Sequence, residues 1–64
     1  MTVNEKIKYV RKAKQISQAE LAFKIDCSIE ELRELENSSI KINGFLLLKI
    51  LSALNLSVEE FKEI

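Results

Sequence analysis

One six-residue pattern occurs three times in the chain: ISQAEL at residues 16–21, CSIEEL at 27–32 and LSVEEF at 56–61. Each reads apolar-Ser-x-x-Glu-apolar. The Ser hydroxyl can accept from the backbone N–H three residues on, while the Glu carboxylate reaches back to the Ser N–H, satisfying donors that a helix start leaves bare. The flanking pairs Ile16/Leu21, Cys27/Leu32 and Leu56/Phe61 occupy the two positions of a hydrophobic staple across that start. Helix starts are therefore expected at Ser17, Ser28 and Ser57, each cap contributing about 1 kcal/mol.

Two further helices follow from periodicity. Val3, Ile7 and Val10 share one face of a helix from about Asn4 to Lys14, with the lysines largely opposite. Asn43 is a suitable cap before GFLLLKILSAL, in which Leu47, Ile50, Leu51 and Leu54 form the core stripe, with Phe45, Leu48, Lys49 and Ser52 on the far side. With one Gly and no Pro, the chain lacks the turn punctuation of multi-stranded β folds. The expected fold class is all-α: a compact five-helix domain with helices near 4–14, 18–25, 29–36, 44–54 and 58–63. The expected core is Ile7, Val10, Ile16, Leu21, Ala22, Ile25, Cys27, Leu32, Leu35, Leu47, Ile50, Leu51, Leu54, Leu56 and Phe61. Sixty-four residues suit a single domain, 1–64. The repeated pattern is a capping device, not a solenoid period.

Several chemistries are disfavoured. The chain has no His, which removes histidine-based acid–base catalysis and metal ligation. Its one cysteine, Cys27, cannot form an internal disulfide and stands at a staple position, as a packed structural thiol would. One Gly cannot build a phosphate-cradling loop. Glu30 and Glu34 form an i, i+4 acidic pair, but an open helix face seldom holds a metal. No enzyme activity, cofactor, metal or small-molecule substrate is expected. The start MTVNEKIKYV lacks the apolar stretch of a signal peptide, and Lys49 interrupts FLLLKIL, the longest apolar run. A membrane span is not expected, and a cytoplasmic setting is.

Formal net charge is zero, yet Lys6, Lys8, Arg11, Lys12 and Lys14 gather in residues 1–16, and Glu30, Glu31, Glu34 and Glu36 in 28–38. Charge runs of this size are most often solvated helix faces. Ser17 and Ser28 start successive helices eleven residues apart, joined tightly at Ile25-Asp26-Cys27. This is helix-turn-helix spacing, shared with ordinary helical hairpins. Leu32 and Leu35 define the buried side of helix 3, so Glu30 and Glu34 project away from it.

ISQAELAFKIDCSIEELRELEN followed by LLKILSALNLSVEEF resembles the Cro/repressor-type helix-turn-helix domain of lambdoid phage repressors and many bacterial regulators. Its most specific pieces are SQAELA, the LEN that ends helix 3, and LKILSALNLS. The resemblance implies a sequence-specific domain of a transcriptional regulator that binds double-stranded DNA as a homodimer on a two-fold operator, with helix 3 in the major groove. By position it implies that Ile29, Glu30 and Glu34 face base edges, while Gln18, Arg33, Asn37 and Lys41 meet the sugar-phosphate backbone. It also implies a structural salt bridge between Arg11 and Glu36.

The surplus apolar surface of Phe45, Leu46 and Leu48 suits a dimer interface, or a face packed on a further domain. The sequence departs from the family at Asp26 and Ser38, where glycine is usual, and at Ile42, where proline is frequent. Two alternatives remain: the scaffold holds a protein partner through its acidic or apolar helix, or it is an engineered or truncated scaffold that keeps only the fold.

Overall fold

The computed structural model describes residues 1–64, folded as α1 (Val3–Ala13), α2 (Gln18–Lys24), α3 (Ile29–Asn37), α4 (Gly44–Ala53) and α5 (Val58–Lys62). No strand is present. Ser17, Ser28 and Ser57 are the N-caps of α2, α3 and α5, and Asn43 Oδ1 caps α4 by accepting from Leu46 N at 2.7 Å. Two details differ from the sequence expectation. The box at α2 is open, because Glu20 extends towards Lys24 (4.0 Å) instead of returning to Ser17. Conversely, α1 begins with a box of its own: Thr2 Oγ1 accepts from Glu5 N at 3.1 Å, and Thr2 N donates to Glu5 Oε1 at 2.8 Å.

The helix ends are as regular as the starts. After α1, α2 and α4 the chain turns through one left-handed residue, Gln15 (φ 58), Asp26 (φ 59) or Asn55 (φ 59). At each, paired backbone bonds close a Schellman motif, as in Gln15 N to Lys12 O and Ile16 N to Arg11 O, both 3.0 Å. The next residue, Ile16, Cys27 or Leu56, completes that motif and serves as the staple residue of the following helix, packed against the core. Asp26 thus takes the left-handed backbone at the position where the family resemblance implies glycine. Ser38 is extended (φ −122), so it has no need of one.

Gln tolerates left-handed backbone less well than Asp or Asn. Gln15→Gly should relieve a strain of roughly 1–2 kcal/mol while freeing the unfolded chain by about 0.4–1 kcal/mol. A small net rise in the urea midpoint is expected; a fall would mean that the Gln15 side chain stabilises the turn.

All ten fully buried apolar residues lie within the fifteen expected from sequence. The other five, Ile16, Cys27, Leu35, Leu47 and Leu56, are half-buried against them, joined by Ile42, Leu46 and Ala53. Ile7, Leu21, Leu32 and Ile50 are completely buried, so α1, α2, α3 and α4 each contribute a side chain to the centre. No helix is long and apolar enough to cross a membrane.

The closed boxes make stability sensitive to acid. Backbone and side-chain hydrogen bonds with the cap hold the carboxyls of Glu5, Glu31 and Glu60 below the ordinary glutamate range. Their pKa is lower folded than unfolded, so this contribution is complete above the ordinary value of about 4.3 and is lost as pH falls through the folded values. Gln also serves at this box position. A Glu5→Gln, Glu31→Gln, Glu60→Gln variant should therefore lose less stability on acidification than the parent in denaturant titrations; identical acid limbs would refute the assignment.

Candidate nucleic-acid interface

The inner side of α3 is clamped to two other helices. Leu32 is fully buried, and one turn on the Glu36 carboxylate, 0% exposed, is gripped by Arg11 of α1: Nε to Oε2 at 2.7 Å and Nη2 to Oε1 at 3.1 Å. Arg11 Nη1 also donates to Ile16 O at 2.8 Å. Gln18, the first residue of α2, donates its side-chain amide to Glu36 Oε1 at 3.1 Å. Arg11 and Glu36 therefore form a buried two-point ion pair, to which the start of α2 is fastened.

Anchoring that side leaves the other to solvent. Ile29, Glu30, Arg33, Glu34 and Asn37 are all exposed. They lie in two adjacent rows at helical spacing, Ile29–Arg33–Asn37 and Glu30–Glu34. The structure thus groups the three residues assigned to base edges with Arg33 and Asn37 on one open face. Gln18 stands to one side, held by Glu36, and Lys41 is exposed in the segment after α3.

The helix starts differ in what they offer. At α3 the box uses two donors: Glu31 N donates to Ser28 Oγ at 3.0 Å, and Ser28 N to Glu31 Oε1 at 2.9 Å. At α2 the open box leaves Ser17 N–H without an acceptor in the protein. At α4 the first turn carries no acidic residue.

The basic residues of α1 divide between two sides, which sequence did not reveal. Lys8 Nζ donates to Asn37 Oδ1 at 3.1 Å, and Lys8 and Lys12 line a polar groove of about 480 Å³ with Tyr9, Asn37, Ser38 and Ser39. Lys6 instead sits 5.4 Å from the centroid of the Phe61 ring. Lys14 is close enough to Glu60 to help lower its carboxyl. Only the Lys8 and Lys12 pair adjoins the end of α3. The spacing of the lysines, at 6, 8, 12 and 14, cannot by itself show which of them α5 will approach.

On α4, Phe45 is 83% and Leu48 57% exposed, but Leu46, grouped with them in the sequence reading, packs half-buried against the core. Its angular position lies nearer the Ile50 side than the Phe45 side. Burial and the nearby carboxylates of Glu31 and Asp26 push the Cys27 thiol up, away from the lowered range of activated cysteines. No group of three or more His, Cys, Asp or Glu side chains is placed to hold a metal.

Two capped helices joined by a tight left-handed turn, the second presenting its outer face on a buried mount, define a helix-turn-helix domain. A family model described as helix-turn-helix matches residues 7–61, nearly the whole chain. The chain belongs to this family, in its Cro/repressor-type branch, whose members are DNA-binding domains of transcription regulators. No curated protein and no solved structure matches the chain.

Proposed function

We propose that this domain reads operator DNA for a transcriptional regulator of the cytoplasm, as a homodimer on a two-fold site with α3 in the major groove. The observation that carries the reading is the clamped mount of α3: Glu36 is tied to Arg11 and Gln18 behind it, and five side chains are exposed in front. Ile29, Glu30 and Glu34 meet base edges. Gln18, Asn37 and Lys41, with Lys8 and Lys12, meet the sugar-phosphate chain. Exposed Phe45 and Leu48 supply apolar surface for a second copy.

The glutamates set the character of binding. Each is repelled by nearby phosphates by about 1 kcal/mol per close pair in water, and each can gain roughly 1–3 kcal/mol of discrimination by accepting from a cytosine amino group. The combination favours the right site mainly by weakening all others. Selection from a random duplex library at low salt should enrich a symmetric site, and its affinity should fall steeply as salt is raised. Failure to enrich any site, with no salt-dependent binding, would rule the reading out.

One observation supports a different class, a protein-binding module. A groove of about 490 Å³ between α3 and α4 is lined by Ile25, Leu35, Ile42 and Leu46, with the carboxylates of Asp26, Glu31 and Glu34 outnumbering the ammoniums of Lys41 and Lys49. The Glu30→Gln, Glu34→Gln variant separates the two classes within the same experiment. A DNA reader gains affinity for random duplex, whereas a module for a basic protein partner gains none and loses that partner.

A further inference from the structure

We infer that α3 reads a half-site with a G·C core, in which Arg33 contacts guanine between two carboxylates that accept from cytosine. This deepens the DNA-reading function proposed above and rests on it. It also moves Arg33 from the flanking phosphate, where the family resemblance put it, to the base edges.

The argument starts from what Arg33 does not do. It lies on the same exposed face as Glu30 and Glu34, yet the ion pairs of the domain are Arg11–Glu36 and Glu20–Lys24, and Arg33 belongs to neither. Its guanidinium is unpaired in the middle of the Ile29–Arg33–Asn37 row, one residue from Glu34 and one turn from Glu30. In the major groove a donor-only fork matches the O6 and N7 acceptors of guanine.

The carboxylates narrow the choice further. An acceptor-only group needs a base amino group, which cytosine and adenine both present in that groove. Adenine sets its N7 acceptor beside the amino group, so a carboxylate there faces a second acceptor; cytosine has no such neighbour on its own edge. The side chain best suited to adenine is an amide, and both amides near this face are engaged. Asn37 Oδ1 takes the Lys8 ammonium at 3.1 Å, and Gln18 Nε2 is held by Glu36 at 3.1 Å. Ile29, 39% exposed at the start of the row, offers a thymine methyl the one A·T-directed contact on the face.

Spacing sets the size of the core. Glu30 and Glu34 are four residues apart, about 6 Å along the helix at 1.5 Å per residue, or roughly two base-pair steps at 3.4 Å. Arg33 falls between them along the axis. The three side chains therefore cover two to three consecutive G·C pairs. The guanidinium also brings positive charge to the face that carries the two carboxylates, which reduces their repulsion of the backbone.

The test uses the whole chain and the symmetric site selected from a random duplex library. A G·C core in that site is expected, and replacing one of its guanines by 7-deazaguanine should weaken parent binding about 5- to 100-fold. That replacement should have no effect on Arg33→Ala, whose fold is checked by circular dichroism. Glu34→Gln should move the preference at one core position from C·G towards A·T. An A·T core in the selected site would overturn the inference. So would an Arg33→Ala variant that weakens all duplexes alike and lowers the salt slope by about one, the behaviour of a phosphate contact. Both of those results leave the DNA-reading function standing, whereas failure to select any site removes that function and this inference together.

Discussion

Arg11→Met is expected to destabilise the domain by about 3–5 kcal/mol, because it strands the buried Glu36 carboxylate. Glu36 would retain Gln18 as a partner on Oε1 but lose both donors from the guanidinium, and Ile16 O would lose its donor as well. A chain of this size has a total stability on the order of 3–10 kcal/mol at 0.05–0.15 kcal/mol per residue. The variant should therefore melt tens of degrees lower, at roughly 4–8 °C per kcal/mol. Replacing the pair together, as Arg11→Met with Glu36→Leu, should recover much of that loss, since a packed apolar pair can equal a buried ion pair. An Arg11→Met variant that melts with the parent would show that Glu36 is served by water and that α3 is not mounted through it.

Asn4→Ala should cost about 1–3 kcal/mol, from the loss of two part-buried hydrogen bonds at about 0.5–1.5 kcal/mol each. Asn4 Nδ2 donates to Leu35 O at 2.8 Å and to Ile40 O at 2.9 Å, across 31 and 36 residues of sequence. The residue itself is 5% exposed. Its amide is the staple between α1, the last turn of α3 and the extended segment that leads to Asn43. Amide hydrogen exchange should quicken in residues 38–43 of the variant more than in α2, as that segment loosens first. Uniform loss of protection would place Asn4 in the global core instead, with no local role in holding the segment that carries Lys41.

The contrast between these two residues explains what the sequence made legible. Helix starts at Ser17, Ser28 and Ser57 were readable because a cap is local chemistry over four residues. The fourth box, Thr2-Val3-Asn4-Glu5, was missed because its staple positions hold Met1 and Lys6, so the apolar bracket that marked the others is incomplete. Asn4 had no readable signal at all. Both of its acceptors are backbone carbonyls far along the chain, and an asparagine on the apolar side of a helix looks like a mismatch until the partner segment is in place. The outward face of α3 was legible from the positions of Leu32 and Leu35. The division of the lysines was not, since it depends on where Phe61 comes to rest against α1.

The shared residue at each junction has a consequence for how such a chain can diversify. Cys27 closes the end of α2 and opens α3 in one step, so the connection has no spare length to absorb an insertion. The spatial relation between α2 and α3 is thereby inherited as a fixed setting. Novelty must enter by exchange of the five outward side chains, none of which the mount uses, and a descendant can acquire a new vocabulary without renegotiating its architecture.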